Sequence, residues 1–103
     1  MIPVKVGLLG LGTVGRGTVT VLRRNAAEIT RRAGRGIQVS AVAVRDTARA
    51  RSAGFEGLQI SGDAERLVRD ADISVVVELM GGLEPARTLI LDAIAHGKHV
   101  VTA

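Results

Sequence analysis

Three glycines near the amino terminus have the spacing needed to hold an anion against the main chain. Gly10, Gly12 and Gly15 follow an apolar run at residues 6–9, and the apolar spacing then changes from strand-like to helix-like. In that context Gly10 lets the backbone reverse, Gly12 leaves room for a diphosphate, and Gly15 lets the helix pack closely on the strand. The alternative is a glycine-rich turn without a ligand. The predicted phosphate-binding residues are Gly10, Leu11, Gly12, Thr13, Val14 and Gly15.

A second candidate position is the end of the next predicted strand, where Arg45 and then Asp46 follow residues 37–44. In a dinucleotide-binding fold this position faces the adenosine ribose, where a carboxylate favours a free 2'-hydroxyl and an arginine tolerates a 2'-phosphate. A guanidinium forms charge-assisted bonds with a phosphate. We therefore favour NADPH over NADH, with Arg45 on the 2'-phosphate and Arg49 and Arg51 close enough to assist. Alternatively, Arg45 begins a solvated loop and Asp46 binds the ribose.

A dehydrogenase also needs a group that handles a proton near the substrate, and the candidates are few. His96 and His99 lie at the predicted sheet edge away from the cofactor, so we expect surface or capping roles. Glu78 lies near the cofactor edge, but a carboxylate at an apolar strand end is expected to bond backbone amides. Thr102 ends the last strand at that edge, where its hydroxyl either contacts the nicotinamide half or is structural. No catalytic residue and no metal ligand set is predicted.

The elements that position these residues alternate along the chain. Strands are predicted at residues 1–9, 37–44, 73–79 and 98–102, and helices at residues 13–33, 64–69 and after Pro85. Residues 47–60 are difficult to assign, and residues 58–60 form either a short edge strand or a loop. With right-handed crossovers, this order predicts an α/β fold: a Rossmann-like, doubly wound parallel sheet, three-layer αβα and incomplete. The predicted buried stripe of the first helix is Val14, Thr18, Val21, Leu22, Asn25 and Ile29.

Composition limits the class of protein. The chain has 103 residues, 47% of them hydrophobic, which suits one domain with an aliphatic core. It has no cysteine, which excludes disulfides and thiolate metal sites and is consistent with a reducing cytosol. The apolar runs are too short for a membrane span, and the amino terminus lacks a signal-peptide pattern. We expect a soluble, cytoplasmic protein that contacts no membrane.

The formal net charge is +4, so the positions of the arginines bear on nucleic-acid binding. Arg23, Arg24, Arg31 and Arg32 lie on the second half of the first predicted helix, at the sheet edge opposite the phosphate turn. They cannot be cofactor ligands there. No aromatic residues are interleaved to stack bases, and we expect a solvated face rather than a nucleic-acid site.

Four motifs, in this order, resemble the cofactor domain of homoserine dehydrogenase: GLGTVG, VAVRD, VVVELMGG followed by EPA, and GKHVVTA. The resemblance implies an oxidoreductase that interconverts homoserine and aspartate 4-semialdehyde with NAD(P)H, in threonine and methionine biosynthesis. It also implies that Arg45 holds the 2'-phosphate. The residues that it implies for the pyrophosphate are Leu11, Thr13 and Val14, and those for the nicotinamide side are Met80, Gly81 and Thr102.

The resemblance covers practically the whole chain but stops before the family's substrate-binding and dimerising region. Residues 1–103 are therefore expected to form a dinucleotide-binding domain that, alone, reduces no substrate. A parallel sheet that stops at this point exposes an open edge and apolar surface, which predicts homo-oligomers. Two alternatives stay open: a stand-alone nucleotide-sensing module, and another amino-acid or semialdehyde dehydrogenase.

Overall fold

A parallel sheet with helices on both faces forms the centre of the molecule. The computed structural model describes residues 2–80 and 85–102. The strands are β1 (Val4–Leu9), β2 (Ile37–Ala43), β3 (Gln59–Ser61), β4 (Val75–Glu78) and β5 (His99–Thr102). The helices are α1 (Thr13–Arg24), α2 (Ala26–Ala33), α3 (Thr47–Ser52), α4 (Ala64–Arg69) and α5 (Ala86–Ala95). The predicted α/β, doubly wound, three-layer fold is confirmed.

The strand order places two loops side by side. The five strands run β3-β2-β1-β4-β5, and every neighbouring pair is parallel. The chain builds outwards from β1 to β3 and then crosses to the other side of β1. In such sheets, ligands bind outside the carboxyl ends of the strands at the point where the order reverses. Here that point lies between β1 and β4.

The central strand supplies side chains to a core on each face. Leu9 packs with the cluster under α4 and α5, whereas Val6 and Leu8 pack with the cluster under α1. This is the period-two alternation of a strand covered on both sides. The register of β2 against β1 shifts by one residue between Val6 and Gly7. The extra residue lets Val39 and Val42 lie in the same core although three positions separate them.

The first predicted helix is interrupted once, which corrects the expectation of a single helix over residues 13–33. Asn25 separates α1 from α2, with a ψ of 16° that departs from helical values. Its side-chain Nδ2 donates to the carbonyl oxygen of Val21 at 2.9 Å. A side chain that bonds the preceding turn competes with the regular helix at this position.

The predicted buried stripe of this helix is wrong at three positions. Val14 and Val21 are 61% and 53% exposed, and Asn25 is also exposed. The buried residues of α1 are Gly15 and Val19. The buried face of α1 therefore begins at Gly15 and continues one turn later at Val19. Val14 and Val21 lie on other faces of the helix and are exposed.

Residues 47–60 contain two short elements, α3 and β3. α3 has six residues, is rich in arginine and buries only Ala50, so its sequence has no apolar period to recognise. β3 pairs with β2 and forms an edge of the sheet, which agrees with one of the two alternatives for residues 58–60. The predicted bounds of α4 are confirmed, and Asp63 caps it by accepting the Arg66 N–H at 3.0 Å. None of the described helices is long and apolar enough to cross a membrane.

Two glycines on α1 allow a matched test of close packing. A Cβ at Gly15 would lie 2.8 Å from the carbonyl oxygen of Gly10, whereas a Cβ at exposed Gly17 would meet nothing within 4 Å. We expect Gly15→Ala to lower the free energy of unfolding in urea by about 1–3 kcal/mol through overpacking. Gly17→Ala should raise it by about 0.5–1 kcal/mol through helix propensity. Equal changes in the two variants would contradict the close contact at Gly15.

Candidate dinucleotide-binding site

The turn after β1 is fixed by the strands on both sides of it. Gly10 has a φ of 105°, which L side chains rarely adopt, and its N–H donates to the carbonyl oxygen of Ala43 in β2 at 2.9 Å. A Cβ on Gly10 would also come within 3.3 Å of the backbone of Leu79, which follows β4. The chain therefore reverses in a narrow space between β2 and β4, where glycine is required.

The amino end of α1 opens from this turn into free space. Gly12 is the N-cap, without a side-chain capping bond, and its carbonyl oxygen accepts the Arg16 N–H at 2.9 Å. A Cβ at Gly12 would meet nothing within 4 Å. The first helical turn carries no acidic residue. The N–H groups of this turn have no partner within the helix and carry a partial positive charge, so the geometry suits an anion.

A cavity of about 540 Å³ lies over these strand ends, within the range of about 300–1,000 Å³ that is usual for small-ligand sites. Residues 10–13 line it from the phosphate turn, residues 43–46 from the end of β2, and residues 79 and 80 from the end of β4. The carboxyl ends of three neighbouring strands thus share one cavity, as the sheet order requires.

The predicted site residues divide into three groups. The cavity is lined by Gly10, Leu11, Gly12, Thr13, Arg45 and Met80. Gly15 lies beneath the turn, exposed Val14 is outside the lining, and exposed Thr102 pairs with Glu78 in the sheet, also outside the lining. Gly81 lies outside the described residues. The structure therefore brings the phosphate turn, Arg45 and Met80 together, and it leaves Thr102 beside them on the same edge.

The described lining of the cavity contains more arginines than acidic residues. Arg16, Arg45 and Arg49 line it, with Asp46 as the acidic residue of that wall. Asp46 Oδ1 accepts the Arg49 N–H at 3.0 Å and so caps α3. Within residues 2–80 and 85–102, none of these three arginines forms an ion pair. Arg51, which was expected to assist, does not line the cavity, and its guanidinium donates to the carbonyl oxygen of Ile60 at 3.3 Å.

Arg16 is not among the residues that the glycine pattern predicts. It follows Gly12 by four residues, and its Nε is buried with no hydrogen-bond partner among the described residues. The signal that could identify it is its spacing, because a residue four positions after the N-cap lies one helical turn above the same opening. A buried, unpartnered donor at the cavity wall fits a ligand that brings its own acceptors.

Comparison with known proteins agrees with this geometry. The family profile described as "Homoserine dehydrogenase, NAD binding domain" matches residues 10–103. The homoserine dehydrogenase of Methylobacillus glycogenes is 53% identical over 103 residues, which cover 100% of this chain and 25% of that protein. A crystal structure of a homoserine dehydrogenase from Thiobacillus denitrificans gives a TM-score of 0.91 at 60% identity, covering 97% of this chain and 23% of the other.

This chain belongs to the homoserine dehydrogenase family. It corresponds to the family's NAD-binding domain, so its cofactor is a nicotinamide dinucleotide. The chain spans about a quarter of the length of the relatives that it matches. A Staphylococcus aureus homoserine dehydrogenase structure, at 32% identity, still gives a TM-score of 0.90 over 100% of this chain and 27% of its own.

Glu78 supports the backbone just after β4 in this homoserine dehydrogenase domain. The residue is only 5% exposed, and its Oε2 accepts the Met80 N–H at 2.6 Å. The carboxylate therefore bonds backbone, as its place at an apolar strand end predicts, and holds the chain where Met80 enters the cavity wall.

The histidines of the domain lie at the other end of the sheet. His96 ends α5, with Nδ1 2.8 Å from the carbonyl oxygen of Asp92, and His99 begins β5. Neither lines the cavity. In the described part of the chain, no group of three acidic or histidine side chains could hold a metal ion.

A substitution at Gly12 can test ligand binding without disturbing the fold, because a side chain at this position would extend into open space. We expect Gly12→Ser to keep the stability of the domain, since serine is at least as good an N-cap as glycine. The new hydroxyl would bond the amides of the first turn and fill the space left for a diphosphate. Titration with NADPH should therefore show about tenfold weaker binding, which corresponds to about 1.4 kcal/mol.

Gly17→Ser is the control for this experiment, because Gly17 is on the same helix, exposed and away from the cavity. Its NADPH affinity should be unchanged. If Gly12→Ser also left the NADPH affinity unchanged, the first turn of α1 would not be part of the binding site.

Proposed function

We propose that this chain is the cofactor domain of an enzyme that interconverts L-homoserine and L-aspartate 4-semialdehyde. In the oxidative direction, the hydroxyl-bearing carbon of homoserine loses a hydride to the oxidised nicotinamide, and the hydroxyl loses a proton. The bound cofactor supplies the hydride chemistry, and this chain binds and orients it. The observation that carries the proposal is the cavity at the reversal of the sheet order, in a chain 53% identical over 103 residues to a homoserine dehydrogenase.

Each part of the cavity receives a role in this proposal. The amides of residues 11–14 bind the pyrophosphate, which the open space at Gly12 supports. Met80, Gly81 and Thr102 line the nicotinamide side. Met80 already lies in the cavity wall, and Thr102 is beside Glu78 at the same sheet edge.

We further propose that the domain prefers NADPH to NADH, with Arg45 on the 2'-phosphate. The cavity wall at the end of β2 has more guanidinium groups than carboxylates. Asp46, the alternative ribose ligand, has one carboxylate oxygen engaged in capping α3. A carboxylate in that use is less available to a pair of ribose hydroxyls, and an unpaired guanidinium is available to a phosphate.

The proposal extends to the biological setting. We place the enzyme in threonine and methionine biosynthesis in the cytoplasm, with its substrate-binding and dimerising parts outside residues 1–103. We also propose that it forms homo-oligomers. Leu91, Ile94 and Val101 are each more than half exposed on the last described helix and strand, and exposed apolar residues favour association.

The division between cofactor domain and catalytic part can be measured by turnover. The natural polypeptide that contains this domain should reduce NADP⁺ when L-homoserine is supplied. Residues 1–103 alone should bind the cofactor without turnover, because no histidine lines the described part of the cavity and the acidic residue there, Asp46, caps α3. Reduction of NADP⁺ by the isolated chain would contradict the division, and failure of the natural polypeptide to oxidise homoserine would contradict the proposed activity.

Arg45 provides the test of cofactor preference. Arg45→Asp should weaken NADPH binding at least tenfold, because one charge-assisted bond contributes about 1.5–3 kcal/mol. NADH binding should change little, so that the preference for NADPH falls. Arg51→Asp makes the same change of charge on a side chain that does not line the cavity, and it should keep the preference. Equal affinities of the unaltered protein for NADPH and NADH would remove the role of Arg45.

A further inference from the structure

We propose that Arg16 is a second ligand of the 2'-phosphate and helps to determine the preference for the phosphorylated cofactor. This assignment rests on the proposed function, since it requires a dinucleotide in the cavity. It adds a residue from the phosphate-binding helix to a recognition site otherwise built from the end of β2 and α3.

The backbone of Arg16 has a fixed position. The residue belongs to the regular part of α1, and its N–H donates to Gly12 at the helix start. Its side chain lines the same cavity as Arg45 and Arg49. A guanidinium based on a helix is better placed for a ligand than one on a free loop, because less freedom is lost when the ligand binds.

The fold puts α1 and α3 on the same face of the sheet. Val19 of α1 and Ala50 of α3 belong to one core cluster, together with Val39 and Val42 of β2. The cluster under α4 and α5 is on the other face. Arg16 and Arg49 therefore extend from two helices that flank the end of β2, where the adenosine ribose binds in this fold.

The state of the Arg16 side chain indicates a missing partner. Its Nε is buried and has no hydrogen-bond acceptor among the described residues. A guanidinium is charged at all ordinary pH values and offers five N–H donors but no acceptor. Buried donors of this kind are almost always paired in folded proteins. An anion with several oxygens would satisfy the Nε donor.

The charges around it identify the anion. Arg16, Arg45 and Arg49 bring three guanidinium groups to the cavity, and Asp46 brings one carboxylate that already caps α3. A phosphate monoester supplies up to two negative charges and three acceptor oxygens, enough for more than one arginine. The amides at the start of α1 bind the diphosphate, and this binding needs no positively charged side chain. The 2'-phosphate is thus the group of the cofactor that matches these arginines.

The experiment compares ligands that differ only in this phosphate. NADPH, NADH, adenosine 2',5'-bisphosphate and AMP are titrated into the protein and into Arg16→Gln. We expect the variant to bind NADPH and the bisphosphate about tenfold more weakly, as the loss of one charge-assisted bond requires. NADH and AMP should bind within about twofold of the original affinity, a difference below 0.5 kcal/mol.

Two further variants control for folding and for charge. Arg16→Lys keeps the charge and the stem of the side chain but loses the planar fork, so it should weaken NADPH alone and by less than the glutamine variant. Arg24→Gln removes an exposed arginine at the far end of the same helix and should leave the affinities for all four ligands unchanged. Circular dichroism of each variant confirms that α1 is intact.

Equal weakening of NADPH and NADH would overturn the assignment, because it would place Arg16 on the diphosphate. Unchanged NADPH affinity in both Arg16 variants would overturn it too. Failure of the unaltered protein to bind either dinucleotide is a different result, since it would overturn the proposed function and the assignment with it.

Discussion

The first turn of α1 lies directly against the end of β1, and this close approach positions the rest of the cavity. The contact is possible because Gly15 has no side chain. The space that a Cβ would occupy is 2.8 Å from the carbonyl oxygen of Gly10. A larger residue would tilt or displace the helix, and its amide end would no longer face the space above Gly12. On the proposed function, the missing methyl group of Gly15 determines where the diphosphate of the cofactor binds.

The strand ends around this contact are joined by the backbone itself. The Gly10 N–H donates to Ala43 in β2, and the Leu79 N–H donates to Leu9 in β1, each at 2.9 Å. The sheet ladder therefore continues into the loops that carry the site. Glu78 extends this order by one more bond, to the Met80 N–H. The cavity wall on both sides of β1 is held by secondary structure, which is the arrangement that keeps a binding site at a defined geometry.

The sequence determines some parts of this structure through local rules and others only through tertiary contacts. The glycine turn after β1 was predictable because three glycines at fixed spacing have separate steric roles, and α4 was predictable from its aspartate cap. The break at Asn25 was not, because the apolar period continues across it and a local side-chain bond decides the geometry. The buried face of α1 was misjudged for a related reason: a glycine, which carries no apolar signal, makes the contact with the sheet. Neither Arg16 nor α3 could be recognised from the sequence, because the sequence does not distinguish an arginine in a binding site from one on the surface.

On the proposed assignment, the domain separates affinity from selectivity by using two kinds of positive group. The helix amides are neutral dipoles fixed by the fold, and they act on the diphosphate that NADH and NADPH share. The guanidinium groups carry full charge and act on the phosphate that only NADPH has. Asp46 fixes the start of α3, the helix that carries Arg49. Replacing Arg45 alone would therefore leave Asp46 engaged and Arg16 and Arg49 in place, so a full change to NADH requires new ribose contacts as well as fewer arginines.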